Sequence, residues 1–169
     1  MEPKCQNKWE LIYNKKVMWE VVWKNLNLLR CKQKIIQFQW KCIHFIVYTE
    51  SRLQKMGKSN GLCLFCKNNT ETPQHLFFQC FKIKPIIEEL NTMIIALCDL
   101  TYVLNEDNIM LGIYLYDKHN IKEVLSVIFL IIVAKWAIWK FRNDIKYNNK
   151  KIDTLYIKNE VNVKNRTKN

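Results

Sequence analysis

Four side chains that can bind a metal ion lie close together in the chain, in the pattern Cys63-x2-Cys66-x8-His75-x4-Cys80. Thiolates and imidazoles are ligands that zinc prefers, at about 2.3 Å for Zn–S and about 2.0 Å for Zn–N. A Cys-x2-Cys turn brings two thiolates to one ion, and the His-x4-Cys pair supplies two more ligands from the start of a helix and its next turn. Because protein atoms fill all four positions, the pattern predicts one structural Zn²⁺ with no open coordination position.

The other cysteines and one further histidine are expected not to be ligands. They are Cys5, Cys31, Cys42, Cys98 and His119, of which Cys98 is the first alternative ligand. The total of 7 cysteines is odd, and the polar opening segment lacks the apolar stretch of a signal peptide. Both features favour reduced thiols and a location in the nucleus or the cytoplasm. The competing interpretation is that the quartet consists of buried thiols and a core histidine without a metal.

Helices are expected to position these ligands, because the chain has only 3 Gly and 3 Pro. Apolar residues recur at helical spacing in four segments, over about 15–30, 36–47, 83–97 and 121–147. The segment 58–80 shows no helical period before His75 and carries all four ligands. The predicted fold is mainly α, a small helical bundle with an inserted zinc knuckle whose ligands follow the order Cys-Cys-His-Cys.

The predicted organisation is one domain in consecutive parts. These parts are N-terminal basic helices (1–57), the zinc knuckle (58–80), C-terminal helices that pack on the first part (81–147) and a basic mobile tail (148–169). The run Val124–Ala134 is apolar on every side, but its 11 residues are too few to cross a bilayer before Lys135. We expect a central core helix here and no membrane contact, with a transmembrane span as the alternative.

The net charge of +12 points to an anionic partner, and its distribution is uneven. Lys and Arg exceed Asp and Glu by 12 to 4 in residues 1–60 and by 10 to 3 in residues 135–169. Residues 61–134 hold 5 basic against 8 acidic side chains, so the segment with the zinc ligands is net negative. The alternative is that lysines only solvate the surface. The charge pattern favours zinc as an organiser of the fold, with phosphate contacts on either side of it.

Several segments resemble the zinc-binding region at the C-terminal end of LINE-type non-LTR retrotransposon reverse transcriptases. The resemblance covers about residues 35–147 and is most specific over 40–80. It rests on Trp40-Lys41-Cys42-Ile43-His44, Leu53-Gln54-Lys55-Met56-Gly57, the two ligand pairs, Glu71-Thr72 before His75-Leu76-Phe77, and the helical stretch Ala134–Asn143. The chain departs from the family at Phe81, where a proline is common, and at Ile87, near the usual place of a tryptophan.

The resemblance implies an accessory module that holds RNA, or RNA–DNA, beside the polymerase region of the same polyprotein. Basic side chains on both sides of the zinc segment are the predicted nucleic-acid contacts: Lys41, Arg52, Lys55, Lys58, Lys135, Lys140, Arg142 and Lys146. Lys135, Arg142 and Lys146 are spaced to share a helix face. Trp136 and Trp139 can stack on unpaired bases or pack in the core, and core packing is the favoured alternative.

We do not expect this chain to be an enzyme. A polymerase needs positioned carboxylates that hold two metal ions, and the chain has no Asp-Asp pair and no Gly-rich phosphate loop. The pairs Glu88-Glu89 and Glu106-Asp107 are expected to be solvated surface. Two other functions compete with nucleic-acid binding: a zinc-stabilised module that docks on the polymerase, and an inactive fragment of a decayed element.

Overall fold

The computed structural model describes residues 4–98, 104–112 and 121–151. The helices are α1 (Lys4–Tyr13), α2 (Trp19–Leu28), α3 (Gln33–Ile43), α4 (Glu50–Lys55), α5 (Lys84–Cys98), α6 (Glu106–Leu111) and α7 (Ile121–Asn148). A π-helical turn, His75–Gln79, lies between α4 and α5. The expected mainly helical fold is confirmed, since the described residues contain no β-strand beyond one antiparallel bridge, between Leu62 and Thr70.

The helix α7 is the centre of the bundle. It contacts α2, α3 and α5, and it is buried on nearly every side from Val127 to Ile138. By length and composition α7 could also cross a membrane, but 67% of its most apolar window is buried inside the protein. This burial fits a central core helix, because the other helices cover the apolar surface that lipid would otherwise cover.

The helix α1 was not predicted, although it completes the core. Trp9 is fully buried, donates its indole N–H to the carbonyl of Ile43 at 2.7 Å and stacks on Phe45 with ring centroids 4.2 Å apart. Only Cys5, Gln6 and Trp9 of this helix are buried. So short an apolar stripe among charged residues gives a weak periodic signal.

The short helix α6 and the start of α5 follow local sequence signals. Asn105 caps α6 by accepting from the N–H of Asn108, and the Asn108 side chain accepts from the N–H of Asn105. Pro85 lies in the first turn of α5, where its missing N–H costs no helical hydrogen bond.

The expectation that Asp107 is solvated is wrong, because Asp107 is buried and pairs with Lys15.

Candidate metal centre

The first ligand pair lies on a tight turn that begins at the β-bridge. The N–H of Cys63 donates to the carbonyl of Asn69 at 2.8 Å, and the N–H of Lys67 donates to the carbonyl of Cys63 at 2.8 Å. Gly61 precedes the turn with φ +82°, and a Cβ at this position would lie 2.4 Å from Oε1 of Gln54. The positive φ favours glycine at this position, and a larger residue would also have to displace the end of the Gln54 side chain.

The second ligand pair lies at the two ends of the π turn, with His75 as its first residue and Cys80 directly after its last. The N–H of Cys80 donates to the carbonyl of His75 at 2.8 Å, an i→i+5 bond that brings Cys80 back towards His75. The hydroxyl of Thr72 accepts from the N–H of His75 at 3.0 Å and so fixes the beginning of this turn. This π turn explains physically why four residues separate the two ligands.

The four potential ligand atoms form one compact cluster. They lie within 4.8 Å of one another, and all four residues are buried. The Sγ atoms of Cys63 and Cys80 are 3.9 Å apart, and Sγ of Cys66 is 3.3 Å from Nε2 of His75. Tetrahedral zinc at ordinary bond lengths requires about 3.8 Å between two sulfurs and about 3.6 Å between sulfur and nitrogen. The donor set therefore fits a single zinc ion.

The electrostatics of the cluster also fit a cation. Burial lowers the pKa of His75, which favours the neutral imidazole that binds metals. The hydrogen bond to Cys80, together with burial, raises the pKa of the Cys63 thiol. Buried thiolates next to one another need a positive charge between them, and a zinc ion would supply it.

Packing fixes this centre to the helical core. Leu76 and Phe77 of the π turn are fully buried, and the Phe77 ring meets Phe38 of α3 edge-on at 5.9 Å. From the first turn, Phe65 stacks on Phe141 of α7 with centroids 6.2 Å apart. The apolar residues between the ligands thus join the zinc segment to two helices of the bundle.

A buried ion cluster, made of Glu50, Glu71, Arg142 and Lys146, links α7 to the zinc segment. Arg142 donates from Nε and Nη2 to Oε1 of Glu71 at 3.1 and 2.9 Å, and it also pairs with Glu50. Glu71 is 0% exposed and accepts from two backbone groups, the N–H of Glu50 at 2.9 Å and the N–H of Leu64 at 3.0 Å. Since Leu64 lies between two ligands, Glu71 ties the ligand turn to Arg142.

The carboxyl of Glu50 is ionised within this cluster. Burial acts to raise its pKa, but hydrogen bonds from Lys146 and Ser59 and the positive charges of Arg142 and Lys146 act more strongly. The net result is a pKa below the ordinary value. From the sequence, Glu71-Thr72 was only part of a family resemblance, and the pairing of Glu71 with Arg142 was not predicted.

The structure contradicts the prediction that Lys135 and Arg142 contact nucleic acid. Their relative exposures are 1% and 0%. Lys135 donates from Nζ to Oε1 of Gln39 at 2.8 Å and to the carbonyl of Met110 at 3.4 Å, and burial lowers its pKa. The two side chains do share a helix face, but that face points into the core, where no phosphate can reach.

The other predicted contacts lie nearer the surface. Lys41, Lys55, Lys58 and Lys140 are exposed. Arg52 is half-buried and donates to the carbonyl of Phe45 at 2.7 Å, whereas Lys146 is 20% exposed and pairs with Glu50. Nucleic-acid binding by these six residues stays a prediction.

Among the described residues, the remaining cysteines lie outside the candidate metal centre. Cys5 and Cys42 are buried, and Cys31 is half-buried. Burial raises the pKa of Cys42 to about 11, so this thiol is protonated and inert. His119, the side chain of Cys98 and the tail from residue 152 onward lie outside the described part of the chain.

Comparison with known families agrees with the geometry. Residues 4–86 match the family described as zinc-binding in reverse transcriptase. No curated protein and no solved structure matches the chain. The matched segment contains all four ligands together with Glu50 and Glu71, whereas Arg142 and the rest of α7 lie beyond it.

Proposed function

We propose that this chain, whose residues 4–86 match the family described as zinc-binding in reverse transcriptase, is an accessory module that holds nucleic acid beside a polymerase. In this proposal it is the C-terminal part of a LINE-type, non-LTR retrotransposon polyprotein. Its ligand is RNA or an RNA–DNA hybrid, and the chain itself catalyses no reaction. The matched domain is an accessory zinc-binding domain and not a catalytic one.

The observation that carries the proposal is a closed zinc centre combined with exposed lysines. Four protein ligands leave no coordination position for a substrate, so the ion would stabilise the fold. Lys41, Lys55, Lys58 and Lys140 remain exposed on a chain of net charge +12. Exposed cations of this kind give affinity for phosphates that is largely independent of sequence and falls with salt.

A salt series with purified protein tests this function. Filter binding of single-stranded and duplex RNA should give a linear fall of log affinity with log salt, because each phosphate contact releases counterions. The variant Lys55→Glu/Lys58→Glu should lower the slope for single strands by about 1.4, from about 0.7 for each contact. The matched control Lys82→Glu/Lys84→Glu makes the same charge change at two exposed lysines outside the predicted contacts. Absence of binding at low salt, or a flat salt dependence, would contradict the proposal.

Docking on the polymerase region is a second candidate function, and one surface favours it. Leu11, Ile12 and Met18 are 82%, 41% and 50% exposed around the end of α1. Apolar side chains exposed together often mark an interface. Co-elution of this chain with the polymerase region, lost in Leu11→Glu/Ile12→Glu but kept in Lys82→Glu/Lys84→Glu, would support docking. Co-elution that is unchanged in the apolar variant would contradict it.

A further inference from the structure

A groove between α3, residues 46–52 and α7 combines aromatic rings with positive charge. Its volume is about 560 Å³, and both Trp136 and Trp139 line it. Trp136 meets Phe38 edge-on at 5.2 Å, and Trp139 lies 6.0 Å from the same ring. Both indoles are only half-buried, so each is anchored in the core and still exposes part of its ring to the groove. Core packing and ligand contact are therefore compatible for these two residues.

Three basic side chains line the same groove. Lys34 has Nζ 6.0 Å from the Trp136 centroid, Lys41 is exposed on the same helix, and Arg52 lies 5.1 Å from the ring of Tyr48. No acidic side chain is among the lining residues. The hydrogen bond from Arg52 to the carbonyl of Phe45 holds its guanidinium in place. The groove thus presents three positive charges beside aromatic rings.

We propose that this groove is a binding site for unpaired nucleotides, with one or more bases against Trp136, Trp139 or Tyr48 and the backbone phosphates near Lys34, Lys41 and Arg52. The inference rests on the proposed nucleic-acid function and specifies where, and in which form, the strand binds. Aromatic rings alternating with cations are the arrangement that single strands require, because each nucleotide offers one planar base and one phosphate. A duplex keeps its bases stacked inside, so it can use the cations but not the rings.

The positive charge of the neighbouring surface also fits a single-stranded nucleic acid. Arg52 also lines a second groove, of about 840 Å³, together with Lys8 and Lys55. The ring of Phe45 in that groove is already covered by Lys8, whose Nζ lies 3.9 Å from the centroid. Phe45 also stacks on Trp9 with ring centroids 4.2 Å apart, so the second groove offers the strand positive charge for its phosphates and not a ring for its bases.

A comparison of oligomers with and without bases tests the site. The probes are a labelled single-stranded oligouridine, an abasic sugar–phosphate oligomer of equal length, and a duplex RNA. With the full chain, the oligouridine should bind about tenfold more tightly than the abasic oligomer, as expected for stacking of one base. Equal affinity for the two single-stranded probes would overturn the inference while leaving the proposed function intact. If the chain bound none of the probes at low salt, the proposed function itself would fail.

Substitutions test separately what the aromatic rings and the positive charges contribute to binding. Tyr48→Ala and Trp136→Leu should each reduce the preference for bases and leave the salt slope unchanged. Lys34→Glu/Lys41→Glu should instead lower the single-strand salt slope by about 1.4, whereas the control Lys82→Glu/Lys84→Glu should keep both properties. Tyr48 is 52% exposed, so Tyr48→Ala should fold normally. This variant still tests the contribution of an aromatic ring if Trp136→Leu fails to fold. A base preference that survives Tyr48→Ala and every folded tryptophan variant, or equal losses in the groove and control pairs, would refute the site.

Discussion

Replacement of Arg142 by methionine should destabilise this protein more than almost any other single charge removal. The Arg142 side chain is 1% exposed and joins Glu50 and Glu71, which are 4% and 0% exposed. Loss of one partner from a buried ion pair typically costs about 3–5 kcal/mol, because the remaining charge stays buried without compensation. Lys146 still neutralises Glu50, so the uncompensated charge in Arg142→Met is that of Glu71. For a chain of this length the loss corresponds to a fall in melting temperature of roughly 6–20 °C.

Thermal unfolding with zinc in excess, followed by circular dichroism, measures this effect. The matched control is Lys140→Met, which removes an exposed positive charge from the same helix and should change the stability by less than about 0.5 kcal/mol. The double variant Arg142→Met/Glu71→Gln should regain part of the loss, since a neutral amide is cheaper to bury than an unpaired carboxylate. An Arg142→Met variant that melted within about 1 °C of the wild type would show that this ion pair contributes little. A double variant that lost as much stability as the two single variants added together would show that Arg142 and Glu71 are not coupled.

The same substitution should weaken zinc binding from a distance. Glu71 accepts from the N–H of Leu64 inside the Cys-x2-Cys turn, and Arg142 fixes the position of Glu71. Loss of partners that orient metal ligands commonly lowers affinity by about 10–100-fold. Competition with a chromophoric chelator should detect this decrease in Arg142→Met and not in Lys140→Met. Equal zinc affinity in the two variants would mean that α7 does not support the ligand turn.

Three further predictions concern single residues. Lys135→Met should leave RNA affinity unchanged in filter binding, because its side chain cannot reach a phosphate; a loss as large as that of Lys41→Met would contradict the structure. The pKa of Glu50 is depressed in the folded state, so its stabilisation is fully present above the unfolded pKa of about 4.3 and disappears as the pH falls through the folded pKa. The difference in unfolding free energy between wild type and Glu50→Gln should therefore shrink below about pH 4.3 in urea titrations, and a constant difference would argue against this pairing. Asn105→Ala should cost about 1 kcal/mol of stability through the lost cap of α6, and an unchanged urea midpoint would show that the cap contributes nothing.

The sequence was most informative where a pattern is local. The four ligands were predicted from spacing alone, because two chelating pairs in a short segment leave few other arrangements. The helix expected over 121–147 is observed as Ile121–Asn148, since the single Lys135 after its apolar run does not end the helix.

Pairing over long distances in the chain could not be predicted in the same way. Charged residues on helices are usually solvated, and nothing in the period of α7 distinguishes Arg142 from the exposed Lys140. The carboxylates that pair with Arg142 lie 71 and 92 residues away, and only the folded arrangement brings them together. Basic side chains are therefore poor guides to phosphate contacts until their burial is known.

The zinc content of the purified chain shows directly whether Cys63, Cys66, His75 and Cys80 bind one zinc ion. Elemental analysis should find one zinc ion per chain in the wild type and none in Cys63→Ser/Cys66→Ser, with a lower melting temperature in the variant because metal binding is coupled to folding. The matched control Cys5→Ser/Cys42→Ser removes two buried thiols outside the centre and should retain one zinc ion. A Cys63→Ser/Cys66→Ser variant that kept one equivalent of zinc and the wild-type melting curve would contradict the site.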